Sequence, residues 1–573
     1  MPVRVAASQF FSGADVAANL ERCVAEMDRA DSLGVELLVL PENANRVRDY
    51  ASREACFAFA ENLDGAFVSG VRSHAAALGM HVVVNVDVRG ASSPDVFITS
   101  LLIDDRGEIV GTHRKHVLWD YEYTLFTPCD RPFEVFDTSL GRIGMIVCAD
   151  GIVPEAARCV ALLGAQIICN SLNSRGPDEM RVHEPLRAME NGCYMIAANT
   201  VGGPPDGWPW TGGSQVIGPD GTVLAQASET EEQLVMADID PSCADAKPFA
   251  FAARRPELYG VLRAPIDSVP AAAMYGAVDA AVAPRPMRAA IAQVSWYHND
   301  DWTLGRAQLQ ISYAARRGAH VAVLPELFCF RRGTVEADPT GAALRSDHVL
   351  AVLRQAALES RVHVIASLVA RSNRGLHHRA VLIGDDGALV GVYDKTHLSD
   401  TESTWATPGD RFTVCDARIG RVGLMIGDEV WIPEVARCLA LLGAEVIAHP
   451  CDWDRWQARD LAATERTEEN RVHLLSCART DNIARIGSQA TIADRFQPGQ
   501  PIALMRYPTA LTTRTGFEEQ LVVDLDLNDA HSKMMGWHLD PLATRTPHLY
   551  GPMTDASSTG QPDRVGVPAR QVV

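Results

Sequence analysis

Gly141 to Ile168 reads GRIGMIVCADGIVPEAARCVALLGAQII, and Gly420 to Ile447 reads GRVGLMIGDEVWIPEVARCLALLGAEVI. Each copy has an apolar strand, a short connection, a helix that begins at a proline and ends before a glycine, and a second apolar strand. This order predicts a layered α/β unit, and its recurrence predicts two such units in one chain. The first strand is followed by Cys148 in the first copy and by Gly427 in the second.

The duplication extends well beyond this passage. LVLPEN around Glu42 returns as AVLPEL around Glu326, and HRKH around Lys115 returns as YDKTH. Shared landmarks in one order, at nearly one offset, indicate a tandem repeat. RRPELYG, which ends at Gly260, also returns as RTPHLYG, which ends at Gly551, so each copy has its own C-terminal end.

These landmarks predict the domain boundaries. We expect a first domain over residues 1–266 and a second over 287–552. The intervening residues 267–286 are rich in alanine and proline and are predicted to be a linker. Residues 553–573 lack the apolar content to pack and are predicted to be a flexible tail.

Composition excludes several classes of function. The formal net charge of −20 repels phosphate backbones, so we expect no nucleic-acid partner. No stretch approaches the roughly 18 uninterrupted apolar residues that a membrane span needs, so we expect no membrane partner. MPVRVAASQF at the start alternates like a core strand and does not resemble a signal peptide. With 13 cysteines dispersed over 573 residues, a disulfide scaffold is not predicted, and the protein is expected in the cytoplasm with reduced thiols.

Three chemically complementary side chains follow predicted core strands. Glu42 ends VELLVL-PE, Lys115 ends EIVGTHRK, and Cys148 ends GRIGMIV. Because active sites of layered α/β folds gather at strand ends, we expect these groups to meet. A cysteine nucleophile needs a base or a positive field, and the helix that begins at Pro154 is expected to favour the Cys148 thiolate.

The first copy contains an ordered set of motifs around these residues. They are LPE ending at Glu42, RKH at 114–116, Glu122 seven residues after Lys115, TPCD at 127–130, PE six residues beyond Cys148, MEN at 189–191 and AAN at 197–199. In this set the chain resembles the nitrilase superfamily, the carbon–nitrogen hydrolases, although the family usually has TPGD where this chain has TPCD. The resemblance covers each copy almost end to end. It implies two tandem α-β-β-α sandwiches packed sheet to sheet as a pseudo-dimer within the chain.

The resemblance also implies roles for individual residues. Glu42 is expected to be the general base and later the acid, Cys148 the nucleophile, and Lys115 the oxyanion stabiliser together with the backbone N–H of Ala149. Glu122 is expected to orient the substrate or tune the lysine. The implied reaction forms a thioester acyl-enzyme, releases ammonia or an amine, and uses water to release the acid. It needs no cofactor.

Further candidates for substrate binding come from the residues near this set. Trp119 and Tyr121, between the lysine and Glu122, are predicted to wall the pocket, with interface packing as the alternative. Arg175 is predicted either to bind a substrate carboxylate or to lie on the surface. His113 and His116 lack further ligands at metal-binding spacing, so no metal site is predicted.

The second copy keeps Glu326, Lys395 and Glu402 but has no nucleophile at Gly427. We therefore predict that it is catalytically inert and supports the first copy structurally. Residues Asp428 and Glu429 add charge where the first copy has Ala149 and Asp150.

The leading functional hypothesis is a hydrolase of a small amide or N-carbamoyl compound. CAD after the strand is similar to the amidase and carbamoylase branches of the family, whereas nitrilases usually show a tryptophan and a glutamate after the cysteine. The alternatives are a nitrilase that converts a nitrile to an acid, a regulatory pseudoenzyme, and an acyltransferase that uses the same thioester. Assembly into a homo-oligomer is left open.

Overall fold

The computed structural model describes residues 2–176, 178–203, 210–277, 283–495, 508–514, 516–535 and 538–556. The chain divides into two compact units. The first comprises Met1–Ala252 together with His548–Val573, and the second comprises Ala253–Pro547. The units therefore do not coincide with the two sequence repeats from end to end, because each C-terminal RRPELYG-like motif lies at or beyond a unit boundary.

In the first unit, fourteen strands are described. They are β1 (Val3–Gln9), β2 (Leu37–Val39), β3 (His81–Arg89), β4 (Val96–Ile103), β5 (Ile109–Arg114), β6 (Val135–Thr138), β7 (Gly141–Val147), β8 (Ile167–Leu172), β9 (Tyr194–Asn199), β10 (Val201–Gly202), β11 (Trp210–Thr211), β12 (Gln215–Ile217), β13 (Val223–Gln226) and β14 (Gln233–Ile239). One six-stranded sheet has the order β14-β1-β2-β3-β4-β5 and the other β13-β12-β9-β8-β7-β6. β1, β2 and β3 are mutually parallel, as are β7, β8 and β9.

Helices cover the outer faces of these two sheets. They are α1 (Val16–Ser32), α2 (Arg53–Phe59), α3 (Ala66–Leu78), α4 (Glu122–Leu125), α5 (Pro154–Leu162), α6 (Glu184–Asn191), α7 (Phe249–Ala252) and, from the end of the chain, α14 (Gly551–Thr554). α1 and α3 pack on the first sheet, and α5 and α6 pack on the second. The layers are thus helix, sheet, sheet, helix, which confirms the predicted α-β-β-α sandwich.

The inner faces of the two sheets form the core between them. Val83 from the first sheet and Ile143, Ile167 and Ile196 from the second are fully buried in one apolar cluster. VFITSLLI in β4 is buried along its whole length, because the sheet has a helix layer on one face and a second sheet on the other. Burial on both faces explains why these strands are apolar runs without alternation.

The helix that follows β7 begins and ends at the residue types that the sequence predicted. α5 has Pro154 in its first turn, where a missing N–H costs nothing, and Gly164 follows its end with φ = 99°. The sequence predicted both ends of this helix to within a residue.

The second unit repeats the architecture. Its strands are β15 (Pro286–Gln293), β16 (Val321–Val323), β17 (His363–Ser372), β18 (Gly375–Ile383), β19 (Leu389–Asp394), β20 (Val414–Ala417), β21 (Gly420–Leu424), β22 (Val446–Cys451), β23 (His473–Ala478), β24 (Gln489–Ile492), β25 (Thr509–Thr512) and β26 (Glu519–Asp526). They form two sheets, β19-β18-β17-β16-β15-β26 and β20-β21-β22-β23-β24-β25. Its helices are α8 (Asp300–Arg316), α9 (Thr334–Ala337), α10 (Pro339–Ser360), α11 (Asp400–Ser403), α12 (Pro433–Leu441) and α13 (Thr464–Glu468).

The predicted linker and the predicted tail lie partly within the described residues. The predicted linker contains short 3₁₀ helices, Ile266–Ser268 and Pro270–Ala277, and Ala271 and Met274 are buried within it. This part of it packs because its alanines and methionine provide apolar surface. Of the predicted tail, Met553 is buried in α14, and residues 557–573 lie outside the described residues.

None of the helices in the described ranges is long and apolar enough to cross a membrane. All 13 cysteines are free thiols, and all but Cys243 are buried.

The matched core positions Ile196 and Leu475 provide a test of this two-unit organisation. Each is buried between the sheets of its own unit. We expect Ile196→Ala and Leu475→Ala each to destabilise the unit that carries it by about 2–5 kcal/mol, because each leaves a cavity. Hydrogen exchange measured by mass spectrometry should show faster exchange confined to that unit. Equal acceleration in both units for either variant would contradict separate folding units.

Candidate active site

The position of Glu42 is fixed by hydrogen bonds between the two sheets of the first unit. Its backbone N–H donates to the Leu172 carbonyl at 3.2 Å, and the Ser171 hydroxyl donates to the Leu40 carbonyl at 2.8 Å. The chain then turns at Asn43, whose φ is 56°, and the Asn43 N–H donates to Asn85 Oδ1 at 2.9 Å. The carboxylate of Glu42 is therefore held at the end of β2 by groups from both sheets.

The ammonium group of Lys115 lies between two buried carboxylates. Its Nζ is 2.9 Å from Glu42 Oε1 and 2.8 Å from Glu122 Oε2. Glu122 begins α4, and its Oε2 also accepts the backbone N–H of Trp119 at 2.7 Å. These three ionic side chains are almost completely inaccessible to solvent. Charges buried at this depth persist only when they are paired, as they are here.

Cys148 lies directly after β7, at the start of a single 3₁₀ turn, Cys148–Gly151. Its φ of 47° is in the left-handed region, which is costly for a residue with a side chain. The backbone compensates, because the Cys148 N–H donates to Asn170 Oδ1 at 2.7 Å and Asn170 Nδ2 donates to Glu184 Oε1 at 2.6 Å. A strained nucleophile position supported by buried hydrogen bonds is typical of functional sites.

The electrostatic state of the thiol differs from the sequence-based expectation. Burial and the negative charge of Glu42 raise the pKa of Cys148 to about 12, although the positive charges of Lys115 and Arg48 act in the opposite direction. The prediction that the local helix would favour a resting thiolate is therefore wrong. α5 begins six residues later, and the cost of desolvating an anion outweighs the nearby cations. The thiol is neutral at rest, and it needs a proton acceptor to become a nucleophile.

Asp150 connects the cysteine turn to the lysine segment. Its Oδ2 accepts the Val147 N–H at 3.1 Å and lies 3.0 Å from His113 Nε2, and its Oδ1 accepts the N–H groups of His116 and Val117 at 3.0 and 2.8 Å. These hydrogen bonds lower the pKa of Asp150 despite its burial. The carboxylate thus sets the separation between Lys115 and Cys148.

Asp150 and the two histidines near it form a cluster of potential metal ligands. His113, His116 and Asp150 have potential ligand atoms within 4.8 Å of one another, a third ligand that the sequence did not suggest. Both oxygens of Asp150 already accept hydrogen bonds, so this cluster is explained by anchoring. The prediction of no metal site stays a prediction.

Arg48 is the site residue that the sequence analysis missed. Its side chain is 7% exposed, its Nη2 lies 3.5 Å from Glu42 Oε2, and its guanidinium also contacts the Glu122 carboxylate. The duplication could have pointed to Arg48, because Arg332 follows Glu326 at the same spacing as Arg48 follows Glu42.

The predicted substrate-binding residues lie in different environments. Ala149 is fully buried beside Cys148, and Trp119 contacts Glu122 through its backbone. Tyr121 is 41% exposed and near enough to Arg48 to raise the pKa of that guanidinium. The guanidinium of Arg175 lies 4.4 Å from the centre of the Trp210 ring. Their roles towards a substrate stay predictions.

The equivalent position in the second unit has a different arrangement. Lys395 Nζ lies 2.7 Å from both oxygens of Glu402, and Glu402 also pairs with His378 Nδ1 at 2.6 Å. A β-carbon added to Gly427 would lie 2.7 Å from both carboxylate oxygens of Glu326. The carboxylate of Glu326 therefore occupies space that a side chain at position 427 would need.

Comparisons with known proteins identify one family and several relatives. A model of the carbon–nitrogen hydrolase family matches residues 4–248 and 288–495. A nitrilase of Pyrococcus abyssi is 32% identical over 212 residues, which is 37% of this chain and 79% of that protein. An (R)-stereoselective amidase of a Pseudomonas species is 34% identical over 25% of this chain and 52% of that protein. A crystal structure of an amidase from a Nesterenkonia species is 28% identical, covers 43% of this chain and 93% of that chain, and has a TM-score of 0.39.

The protonation state of Cys148 is directly measurable. We expect the thiolate absorbance in the ultraviolet, taken as wild type minus Cys148→Ser, to be absent at neutral pH and to develop only in strongly alkaline solution. Glu42→Gln removes a negative charge and should shift this titration to lower pH. A thiolate signal at neutral pH in the wild type would contradict a neutral resting thiol. A shift of the titration to higher pH in Glu42→Gln would contradict the effect assigned to the charge of Glu42.

Proposed function

Because this chain belongs to the carbon–nitrogen hydrolase family, we propose that its first unit hydrolyses a small amide or N-carbamoyl compound and releases ammonia or an amine. The observation that carries the proposal is the Lys115 ammonium held between Glu42 and Glu122, within electrostatic range of Cys148. The cysteine supplies a nucleophile, the free oxygen of Glu42 a proton acceptor, and the lysine a positive charge.

The reaction begins with a proton transfer. Since the thiol is neutral at rest, its proton moves to Glu42 Oε2 as Sγ attacks the carbonyl carbon. Glu42 Oε2 is buried with no hydrogen-bond partner among the described residues, so it is available to accept this proton. The carbonyl oxygen gains negative charge, which the Lys115 ammonium and the backbone N–H of Ala149 stabilise.

The leaving group then departs and the enzyme is regenerated. Glu42 returns the proton to the amine nitrogen, the C–N bond breaks, and a thioester to Cys148 remains. Water that gives a proton to Glu42 attacks the thioester, the C–S bond breaks, and the proton returns to the sulfur as the acid leaves. Glu122 holds the lysine in place throughout, since it accepts from Lys115 and from the Trp119 N–H.

A nitrile is the second candidate substrate, supported by the similarity to the Pyrococcus abyssi nitrilase. The same thiol would add to the nitrile carbon and give a thioimidate before the thioester. Acid release from matched nitriles and amides distinguishes the two activities.

We further propose that the second unit is catalytically inert and that the protein is cytoplasmic. The first proposal is supported by Gly427 and by the position of the Glu326 carboxylate. The second is supported by 13 thiols, none of which forms a disulfide. The formation of a homo-oligomer stays a prediction that light scattering can test.

The proposed chemistry predicts a sharp difference between the two glutamates at equivalent positions. On a panel of amides, ureido compounds and nitriles, Cys148→Ala should abolish ammonia release, and Glu42→Gln should reduce kcat/KM about 10²–10⁴-fold through loss of the base. Glu326→Gln in the second unit is the matched control and should leave turnover within about twofold. Turnover that survives Cys148→Ala would refute the thioester route, and so would the absence of an acyl adduct on Cys148 in mass spectra of rapidly quenched reactions.

The second unit should not be reactivated by a single substitution. Gly427 has a φ of 53°, close to the 47° of Cys148, so backbone conformation does not prevent a cysteine there. The Glu326 carboxylate, 2.7 Å from the position of the added β-carbon, would have to move aside, and Lys395 is held by both oxygens of Glu402. We expect Gly427→Cys in the Cys148→Ala protein to remain inactive in the same ammonia assay. Restored activity would show that the second site is still competent.

A further inference from the structure

Arg48 gives the proposed catalytic centre a second buried cation. It contacts the carboxylates of both Glu42 and Glu122, which are the two partners of Lys115. Its charge also acts on Cys148 and Tyr121. Its charge balances the one net negative charge that Glu42 and Glu122 leave beside Lys115. The hydrogen-bond donors of the guanidinium that remain without an acceptor among the described residues indicate a further role.

The hydrogen-bonding capacity of Arg48 is not used up. A guanidinium carries five N–H donors, yet Nε is buried without an acceptor among the described residues, and Nη2 is 3.5 Å from Glu42 Oε2, too long for a good hydrogen bond. A buried charged donor without an acceptor is unfavourable. Arg48 thus retains a donor for a ligand that accepts hydrogen bonds.

The neighbouring carboxylates meet this need only in part. Glu42 Oε1 accepts from Lys115, and Glu122, which the Arg48 guanidinium contacts, also accepts from Lys115 and from the Trp119 N–H. Asp87, whose charge also acts on Arg48, accepts from Asn43 Nδ2 at 2.6 Å and from the Tyr50 hydroxyl at 2.7 Å. None of these contacts provides an acceptor for Arg48 Nε among the described residues, and Glu42 Oε2 is the oxygen that the proposed reaction needs for the thiol proton.

The second unit has the same residue in a different setting. Arg332 follows Glu326 at the same spacing, but its side chain is 37% exposed, its Nη2 pairs with Asp452, and its Nε donates to the Asp481 carbonyl at 3.0 Å. The unit that keeps the nucleophile thus buries this arginine against its glutamates, whereas the unit without one turns it to other partners.

We infer that Arg48 binds an anionic group of the substrate, so that the substrate is a small amide or ureido compound that also bears a carboxylate. A carboxylate matches the planar fork of a guanidinium and accepts two parallel hydrogen bonds from it. The inference rests on the proposed function and narrows its substrate class. It also makes Arg48, and not Arg175, the residue that recognises the acid group.

Binding of such a substrate brings a carboxylate to a cation that already lies beside the proposed base and nucleophile. The substrate carboxylate accepts from the Arg48 donors that have no acceptor among the described residues. An uncharged amide lacks this carboxylate, so discrimination should be visible in kcat/KM, which reports binding and chemistry together.

The test compares acids with uncharged analogues of the same shape. Full-length wild type is assayed with ω-amido acids that have one to three methylene groups between the carboxylate and the amide. Each acid is paired with an uncharged amide of the same length in which a methyl ketone replaces the carboxylate; these paired compounds are called the ketones. We expect the best acid to exceed its ketone by about 10–100-fold in kcat/KM, the range that one charged hydrogen-bonded pair contributes. Arg48→Met should remove most of this ratio, and Arg48→Lys should retain part of it.

Arg332→Met is the matched control and should leave the acid-to-ketone ratio unchanged. Thermal unfolding establishes that each variant is folded, and Arg48→Lys replaces Arg48→Met in the comparison if the latter is not. A wild-type ratio near one overturns the inference, as does an Arg48→Met variant that loses acid and ketone turnover equally. Turnover of the ketones that depends on Cys148, without preference for the acids, would leave the proposed function intact and remove only the role of Arg48. Loss of the proposed function itself would appear as turnover in no member of the panel.

Discussion

The buried ammonium of Lys115 between Glu42 and Glu122 is the interaction on which the first unit depends. Removal of one partner from such a cluster leaves an uncompensated charge inside the protein, at a cost of about 3–5 kcal/mol. The three side chains come from segments after β2 and β5 and from the start of α4, so the cluster also fixes the relative positions of these segments. Asp150 extends the constraint to β7 and thereby places the cysteine.

Burial has opposite effects on the groups of this site. It strengthens the pairing of the charged side chains, because the effective dielectric is low. The same burial raises the pKa of Cys148 and keeps the thiol neutral. A protonated nucleophile is consistent with a mechanism in which proton transfer accompanies attack, and it limits adventitious oxidation, since the thiolate is the reactive form.

The two units show how a site changes when its nucleophile is absent. The strands, the glutamate, the lysine and the second glutamate recur, yet Lys395 contacts Glu402 through both oxygens and Glu326 lies where a side chain at 427 would be. The arginine after the glutamate also recurs, and its environment is different.

The amino-acid sequence by itself determined the duplication, the sandwich in each copy, the ends of α5 and the identity of Glu42, Lys115, Glu122 and Cys148 as the candidate set. Apolar runs, a proline and glycines at helix ends, and ordered motifs are local signals, and the duplication reinforced each of them. Only the tertiary structure showed that the Cys148 thiol is neutral and that Asp150 anchors the cysteine turn to the lysine segment. It also showed that residues 253–266 belong to the second compact unit and that Arg48 and Arg332 lie in different environments. Those features depend on how deeply a group is buried and on which residues, distant in sequence, contact it. The spacing of residues along the chain specifies neither of these.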